Sequence, residues 1–341
     1  MMRRNNPNRP HREPAYASRH GHMHFGLRDR LGQTSPRRST RIRAARGWGT
    51  FAVSALVLAA TALQPLPVAA SPSAGHSGGI DVRVFRFVDR TRTIGLPDGT
   101  RVDRTVATIV RYPSTGGPYP LVVFGHGFAL TPANYATLLR AWTTAGYVVA
   151  APVFPLGNAN APGGPNETDL VNQPADMRLV ITRLLALNTR TGRVLHGRID
   201  PRRIAVAGHS DGAVTALAVA YDSRYRDPRV GAAVILSGAE MSGMSAFPRH
   251  GPPLLAMQGT ADPTNAPATT LAYYARAARP KFLVLLIGAS HRLPYTTQEP
   301  QLRVVERVTI AFLDHYLKHA PLRPLVLAAR NPGVSTLEAD P

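Results

Sequence analysis

The sequence contains no cysteine among its 341 residues. Disulfide bonds, cysteine metal ligands and a cysteine nucleophile are therefore excluded, and stability outside a cell would rest on the packed core alone. Lysine is also nearly absent: the chain has only Lys281 and Lys318, although Lys and Arg together number 40. The formal net charge of +20 is therefore carried almost entirely by arginine.

No glycine-rich phosphate loop occurs in the sequence. His315 and His319 have the spacing of a pair of metal ligands, but no third ligand accompanies them. We therefore expect neither a bound metal nor a cofactor.

The apolar segment at residues 51–63 is short for a membrane span, which needs about 20 residues. It follows an arginine-rich stretch, and the small residues Val68 and Ala70 come after it. This order is typical of a secretory signal peptide with a long basic n-region. We predict that residues 1–70 are an export signal, cleaved after Ala70, and that the protein is secreted. The alternative is an uncleaved N-terminal membrane anchor.

The basic arm could instead bind nucleic acid, because residues 1–70 hold twelve arginines and only two acidic residues. Against this, the arm adjoins an apolar export segment and has few aromatic residues between its charges. We expect no nucleic-acid partner, and a membrane contact only through the export signal.

The most informative segment is the apolar run at residues 204–207, which leads into Gly-His-Ser-Asp-Gly at 208–212. A strand, a tight turn with a central serine and a following helix together form a nucleophile elbow. The turn leaves almost no room for side chains two residues before and after the serine, which explains the two glycines. Ser210 is therefore the candidate nucleophile.

A serine hydroxyl becomes a good nucleophile when a histidine accepts its proton and an acid orients that histidine. Asp262 and His291 each follow an apolar run that reads as a buried strand, at 253–259 and 281–287. They also occur in the order serine, acid, histidine that accompanies this elbow. We predict Ser210, Asp262 and His291 as the catalytic residues.

Two further polar residues lie close to these positions in the sequence. Glu240 follows the predicted strand at 230–236 and is the alternative acid, since some proteins with this elbow take their acid from that strand. His126 is expected to support its loop rather than to react.

Two backbone N–H groups are predicted to form the oxyanion hole. The first is that of Asp211, directly after the serine at the start of the helix. The second is that of Phe128, in the His-Gly-Phe turn after the apolar strand at 121–125. Gly127 is the alternative second donor.

The His-Gly-Phe turn, Gly-His-Ser-Asp-Gly, Gly-Thr-Ala-Asp-Pro and Gly-Ala-Ser-His resemble the motifs of serine α/β-hydrolases over residues 81–320. Within that superfamily the chain is most similar to bacterial dienelactone-hydrolase-like, cutinase-type polyester-hydrolase-like and platelet-activating-factor-acetylhydrolase-like esterases. It departs from them in two ways. Dienelactone hydrolases use cysteine, and polyester hydrolases usually carry methionine where Asp211 stands, together with a disulfide.

Apolar runs and helical periods alternate from residue 121 onward, which predicts a mostly parallel sheet with helices on both faces. Two opening strands are expected at 80–88 and 105–112, and a closing helix at 301–318. With the resemblance, this predicts an α/β-hydrolase fold with a sheet of about eight strands.

The predicted domains are a linker at 71–80, a catalytic domain at 81–320 and a C-terminal tail at 321–341. A large lid is not expected, because the strand that would precede it ends only about two dozen residues before Asp262. The irregular stretch at 155–173 could border the substrate pocket.

Two functions of different class remain. The first, which the motifs favour, is a secreted serine esterase that cleaves small-molecule, lipid or polymer esters with short to medium acyl chains and acts as a monomer. The second is an inactive binding protein on a hydrolase scaffold, against which the intact set of Ser210, Asp262 and His291 argues. Amide or thioester cleavage by the same residues is a further alternative.

Overall fold

The computed structural model of the protein describes residues 79–244 and 247–341. These residues form a nine-stranded sheet in the order β1-β2-β4-β3-β5-β6-β7-β8-β9. The strands are Ile80–Gly95 (β1), Arg101–Pro113 (β2), Tyr119–Gly125 (β3), Val148–Val153 (β4), Ile199–His209 (β5), Val230–Leu236 (β6), Leu254–Gly259 (β7), Lys281–Leu286 (β8) and Ser335–Asp340 (β9).

Helices cover both faces of this sheet, as predicted. The α-helices are Ala136–Thr144 (α1), Gln173–Asn188 (α2), Asp211–Tyr221 (α3), Pro267–Arg276 (α4), Gln301–Lys318 (α5) and Arg323–Ala329 (α6). Buried side chains of α2, α3 and α4 share one apolar cluster, and those of α1, α5 and α6 share another. Because side chains alternate along a strand, β3 contributes Leu121 and Val123 to the first cluster and Val122 and Phe124 to the second.

The six central strands, β4, β3, β5, β6, β7 and β8, are mutually parallel. Their carboxyl ends therefore meet at one edge of the sheet, which is where open α/β sheets carry their active sites. The loops that follow β3, β5, β7 and β8 contain all the predicted site residues. The α/β-hydrolase fold is thus confirmed.

The sheet has one strand more than the eight expected, and this strand lies in the segment interpreted as a C-terminal tail. Residues 321–341 form α6 and then β9, which pairs antiparallel with β8 from Lys281↔Asp340 to Leu286↔Ser335. Strand β9 has a weak local signal, since Leu337 is its one large apolar residue. It forms because it covers the open edge of β8, a tertiary reason that a local pattern does not contain.

The connection from β6 to β7 is short, in agreement with the absence of a large lid. The described residues between Leu236 and Leu254 contain no helix. The segment 155–173, called the rim segment below, is irregular except for a short 3-10 helix, Glu167–Asn172. The export signal and most of the linker lie outside the described residues. Within the described ranges, no helix is both long and apolar enough to cross a membrane.

Candidate active site

Ser210 stands between the end of β5 and the start of α3, with backbone angles of φ 54° and ψ −123°. A non-glycine residue rarely adopts a positive φ, so the surrounding structure has to impose it. Both neighbouring glycines are required by close backbone approaches. A Cβ atom on Gly208 would collide with the Gly212 carbonyl, and one on Gly212 would collide with the Gly125 carbonyl. The two glycines of the pentapeptide are therefore required by the close packing of the elbow, the start of α3 and the end of β3.

The side chains of Ser210, His291 and Asp262 form a continuous hydrogen-bonded row. His291 Nε2 lies 2.9 Å from Ser210 Oγ, and His291 Nδ1 lies 2.8 Å from Asp262 Oδ2. A carboxylate only accepts hydrogen bonds, so Nδ1 carries the ring proton and Nε2 of the neutral ring accepts from the serine hydroxyl. This is the arrangement required of a base next to a nucleophile.

Asp262 is held as an anion by its surroundings. Burial alone would raise its pKa, but hydrogen bonds from His291 and from the backbone N–H groups of Asn265 and Thr264 keep the pKa below its ordinary value. The two N–H groups donate to Oδ1 at 2.9 Å each. The carboxylate therefore has its charge and its orientation fixed before substrate binds.

Gln258 is a further contributor that the sequence analysis did not identify. Its Nε2 donates to Asp262 Oδ2 at 3.0 Å, the same oxygen that accepts the hydrogen bond from His291 Nδ1. Its Oε1 accepts from Thr270 Oγ1 at 2.7 Å, which determines the orientation of the amide. A polar side chain in the apolar run of β7 is the sequence signal that could have revealed it.

The loop of the acid and the loop of the histidine are also joined through the backbone. Ala261 N–H donates to the Ala289 carbonyl at 3.0 Å, and Gly288 N–H donates to Thr260 Oγ1 at 2.8 Å. A Cβ on Gly259 would collide with the Ala289 carbonyl, so the two loops approach as closely as backbone allows.

The turn after β3 lies against the elbow. Gly127 N–H donates to Tyr135 Oη at 3.2 Å, whereas no described residue accepts a hydrogen bond from the Phe128 or Asp211 N–H. Of the two candidate donors in this turn, Gly127 is thus already engaged and Phe128 is available.

His126 has the supporting role expected of it. The ring is buried, Nε2 accepts from the Phe154 N–H at 3.1 Å, and Nδ1 lies 2.8 Å from the Gly127 carbonyl. Burial lowers the pKa of His126 to about 4, so the ring stays neutral. Nδ1 then donates to the carbonyl, and the ring braces the turn against β4.

Glu240, the alternative acid, is directed elsewhere. Its Oε2 forms an ion pair with Arg276 Nη1 at 2.5 Å. His315, on α5, has its Nδ1 2.6 Å from the Ala320 carbonyl, and His319 caps the same helix with a left-handed backbone. Among the described residues, no group of three or more His, Asp or Glu side chains could hold a metal ion.

The rim segment is anchored by a buried ion cluster. Arg104 on β2 is 1% exposed and donates to both oxygens of Asp169, in the rim segment, and of Asp176, in α2, at 2.6–2.8 Å. Burial alone would lower the pKa of Arg104, but the two carboxylates raise it. Arg92 adds a second cation, with Nη2 at 2.8 Å from Asp176.

The rim segment also contacts the turn after β3. Ala129 N–H donates to the Gly157 carbonyl at 2.9 Å, and Leu130 pairs with Asn158 in an isolated bridge. The rim segment is therefore held near both of its ends, at Gly157 by the turn after β3 and at Asp169 by Arg104.

The side chain of Asp211 is buried next to the nucleophile, and no residue within 79–244 or 247–341 forms an ion pair with it. Its Oδ2 is buried without a hydrogen-bond partner among the described residues. Burial, together with the negative charge of Glu167, raises the pKa of Asp211 to about 6. The ionised carboxyl group is therefore repelled by Glu167 of the rim segment, and its ionisation lowers the stability of the folded state.

We expect Asp211→Asn to stabilise the protein at pH 8 by about 2 kcal/mol. A pKa raised from 3.8 to about 6 corresponds to about 3 kcal/mol of penalty on the ionised form, and the start of a helix offsets about 0.3–1 kcal/mol of it. The penalty is complete above pH 6, declines as the folded state takes up a proton, and is absent below pH 3.8. Urea unfolding of parent and variant at pH 5, 6.5 and 8 measures this trend. An equal difference at all three values would contradict it.

Fold and site together define a serine α/β-hydrolase. A family model described as chlorophyllase matches residues 91–272, more than half of the chain. The protein belongs to the chlorophyllase family, and its function is that of a serine hydrolase acting on esters. The match includes Ser210 and Asp262 and ends before His291.

A solved structure shares the fold. A ferulic acid esterase from Streptomyces cinnamoneus superposes with a TM-score of 0.58 at 20% sequence identity, covering 79% of this chain and 98% of that one. No curated protein sequence matches the chain. The superfamily resemblance drawn from the motifs is confirmed.

Proposed function

We propose that the protein is a secreted carboxylic ester hydrolase that acts through Ser210, His291 and Asp262. The observation that carries the proposal is the unbroken row from Ser210 Oγ to Asp262, with separations of 2.9 and 2.8 Å. We propose secretion from the arginine-rich and apolar pattern of residues 1–70, and we expect cleavage after Ala70.

In the first half of the reaction, Ser210 Oγ attacks the ester carbonyl carbon while His291 Nε2 accepts the hydroxyl proton. The carbonyl oxygen becomes an oxyanion, which the Phe128 and Asp211 N–H groups stabilise. The C–O bond to the alcohol then breaks, and His291 returns the proton to the departing alcohol oxygen. An acyl-enzyme on Ser210 remains.

In the second half, water takes the place of the alcohol. His291 Nε2 accepts a proton from water as the water oxygen attacks the acyl carbon. The bond from that carbon to Ser210 Oγ then breaks, His291 returns the proton to Oγ, and the carboxylic acid leaves. Asp262 stays ionised throughout and stabilises the imidazolium that forms twice in each turnover. The proton transfers need only Ser210, His291 and Asp262, which already lie in hydrogen-bond contact.

The proposed substrates are esters with short to medium acyl chains. Leu170 of the rim segment packs against Val214 and Met241 as a small apolar patch, and the Val214 N–H donates to the Ser210 carbonyl at 2.9 Å. Val214 and Met241 are only 6% and 4% exposed, so the exposed part of this patch is small, and it lies near the acidic residues Asp211 and Glu167. Such a patch suits a few methylene groups better than a long chain.

We expect p-nitrophenyl acetate to hexanoate to exceed the palmitate ester in kcat/KM. Each added methylene contributes at most about 0.8 kcal/mol, and only while apolar wall remains to cover it. Rates of purified enzyme on a graded series of esters, each below its solubility limit, test the proposal. An abrupt rise in rate above the solubility limit, or a preference for palmitate, would show a lid or a deep acyl tunnel.

A further inference from the structure

A set of buried hydrogen bonds joins the turn after β3 to the loop that carries His291. Gly127 N–H donates to Tyr135 Oη at 3.2 Å, Tyr135 Oη lies 2.7 Å from His209 Nδ1, and His209 Nε2 lies 2.8 Å from the His291 carbonyl oxygen. Tyr135 and His209 are 0% and 1% exposed. We call these four residues the His209 network.

The chemistry of the network assigns a role to every atom in it. The His291 carbonyl can only accept, so His209 Nε2 carries the proton. Burial, helped by the nearby His291 ring, lowers the pKa of His209 to about 3, so the ring is neutral and Nδ1 is an acceptor. Burial also raises the pKa of Tyr135, which keeps its hydroxyl protonated as the donor to Nδ1. Its oxygen then accepts from Gly127.

The network leaves little room for adjustment. The His209 ring packs on His291 and on Tyr295, with centroids 4.8 and 5.1 Å apart. A Cβ on Gly127 would lie 3.2 Å from both His209 Nδ1 and Ser210 Cβ. The turn, the elbow and the base are therefore in contact around one imidazole ring.

We propose that His209 is a positioning residue of the hydrolase site, and that Tyr135 acts with it. His209 fixes the backbone of His291 relative to Ser210, and through Tyr135 it fixes the turn at Gly127 so that the next N–H, that of Phe128, faces the reacting carbonyl. This inference rests on the proposed function and adds two residues that touch no substrate.

The size of the effect follows from geometry. A base and an oxyanion donor have to be held within about 0.5 Å of their productive positions. A misplacement of about 1 Å costs about 100-fold in rate. Loss of the network should therefore lower kcat, because the tetrahedral intermediate depends on both groups, and change KM little.

The test compares Tyr135→Phe, His209→Phe and His209→Gln with the parent enzyme. We expect kcat to fall about 10-fold in Tyr135→Phe and about 100-fold in His209→Phe, with KM within about twofold of the parent. His209→Gln, whose amide N–H can reach the His291 carbonyl, should recover most of the loss. The Tyr135→Phe/His209→Phe double variant should be no worse than His209→Phe, because the residues act as a unit.

Tyr147→Phe is the matched control. It also removes a buried tyrosine hydroxyl, one that donates to Asp314 at 2.7 Å, outside the His209 network. The control should keep the parental kcat even where its thermal midpoint falls as much as that of Tyr135→Phe. The rate of labelling by a fluorophosphonate should follow kcat in every variant, because phosphonylation uses the same base and oxyanion donors.

Parental kcat in Tyr135→Phe and His209→Phe, or additive losses in the double variant, would overturn the inference. The proposed function would then still stand, provided that the parent is active and Ser210→Ala is inactive. Full activity of Ser210→Ala would instead remove the proposed function itself. Because Tyr135→Phe is a mild change, the test remains decisive if His209→Phe does not fold: parental kcat in Tyr135→Phe alone would overturn the inference.

Discussion

Replacing Ser210 by alanine should lower ester turnover by about four to six orders of magnitude, and His291→Ala should have an effect of the same size. Either change leaves the row without its nucleophile or its base, and such residues fail as a unit. Steady-state rates on p-nitrophenyl butyrate measure the loss. A fluorophosphonate probe should label Ser210 in the parent and no residue in Ser210→Ala.

Two acidic residues provide the comparison. Asp262→Ala should lower turnover less than His291→Ala, because the base remains and only its orientation and charge stabilisation are lost. Glu240→Ala should retain nearly all activity, since that carboxylate pairs with Arg276. Labelling at another serine, or a larger loss in Glu240→Ala than in Asp262→Ala, would contradict the assignment.

Arg104→Met should lower the free energy of unfolding by about 3–5 kcal/mol. The guanidinium forms four hydrogen bonds to Asp169 and Asp176. Its removal leaves Asp176 with Arg92 and leaves Asp169 with the neutral Asn172 amide. For a domain of this size, such a loss lowers the thermal midpoint by about 10 °C or more. Denaturant and thermal unfolding give both quantities.

Arg101→Met is the control for this variant. Arg101 lies on the same strand but is exposed, with Thr93 Oγ1 as its hydrogen-bond partner at 2.6 Å. We expect a change within about 0.5 kcal/mol. Adding Asp169→Asn and Asp176→Asn to Arg104→Met should restore part of the loss, because neutral amides cost less to bury than unpaired charges. Equal effects of the two arginine substitutions would show that the buried cluster contributes little.

Local patterns predicted much of the catalytic domain. Helix α5 occupies residues 301–318 as expected, because its apolar side chains recur at a helical period along its whole length. Strands β6 and β8 end at or within one residue of their predicted bounds. Where one face of a strand or helix is buried, apolar residues recur in the sequence at the period of that element, and this period can be recognised.

The pairing between strands could not be predicted from local patterns in the same way. Strand β1 continues to Gly95, beyond the predicted end at residue 88, because it pairs with β2 across a bulge between Asp89 and Thr93. Exposed arginine and threonine residues interrupt the apolar alternation along this hairpin, so the sequence pattern does not indicate the full length of the strand. Strand β9 was not predicted for a related reason. It forms because it pairs with β8, whereas its own residues show little apolar alternation.

The amino-acid sequence alone shows which residues are available for chemistry: a serine in a glycine-bounded turn, then an acid and a histidine, each just beyond a strand. Their order along the chain also predicted that parallel strands would bring them to one edge of the sheet. The groups that hold them there depend on the folded structure. Tyr135 is 74 residues from its partner His209, and Arg104 is 65 residues from Asp169 in the rim segment. No local period encodes such contacts, because each depends on loops that meet only after the sheet has formed.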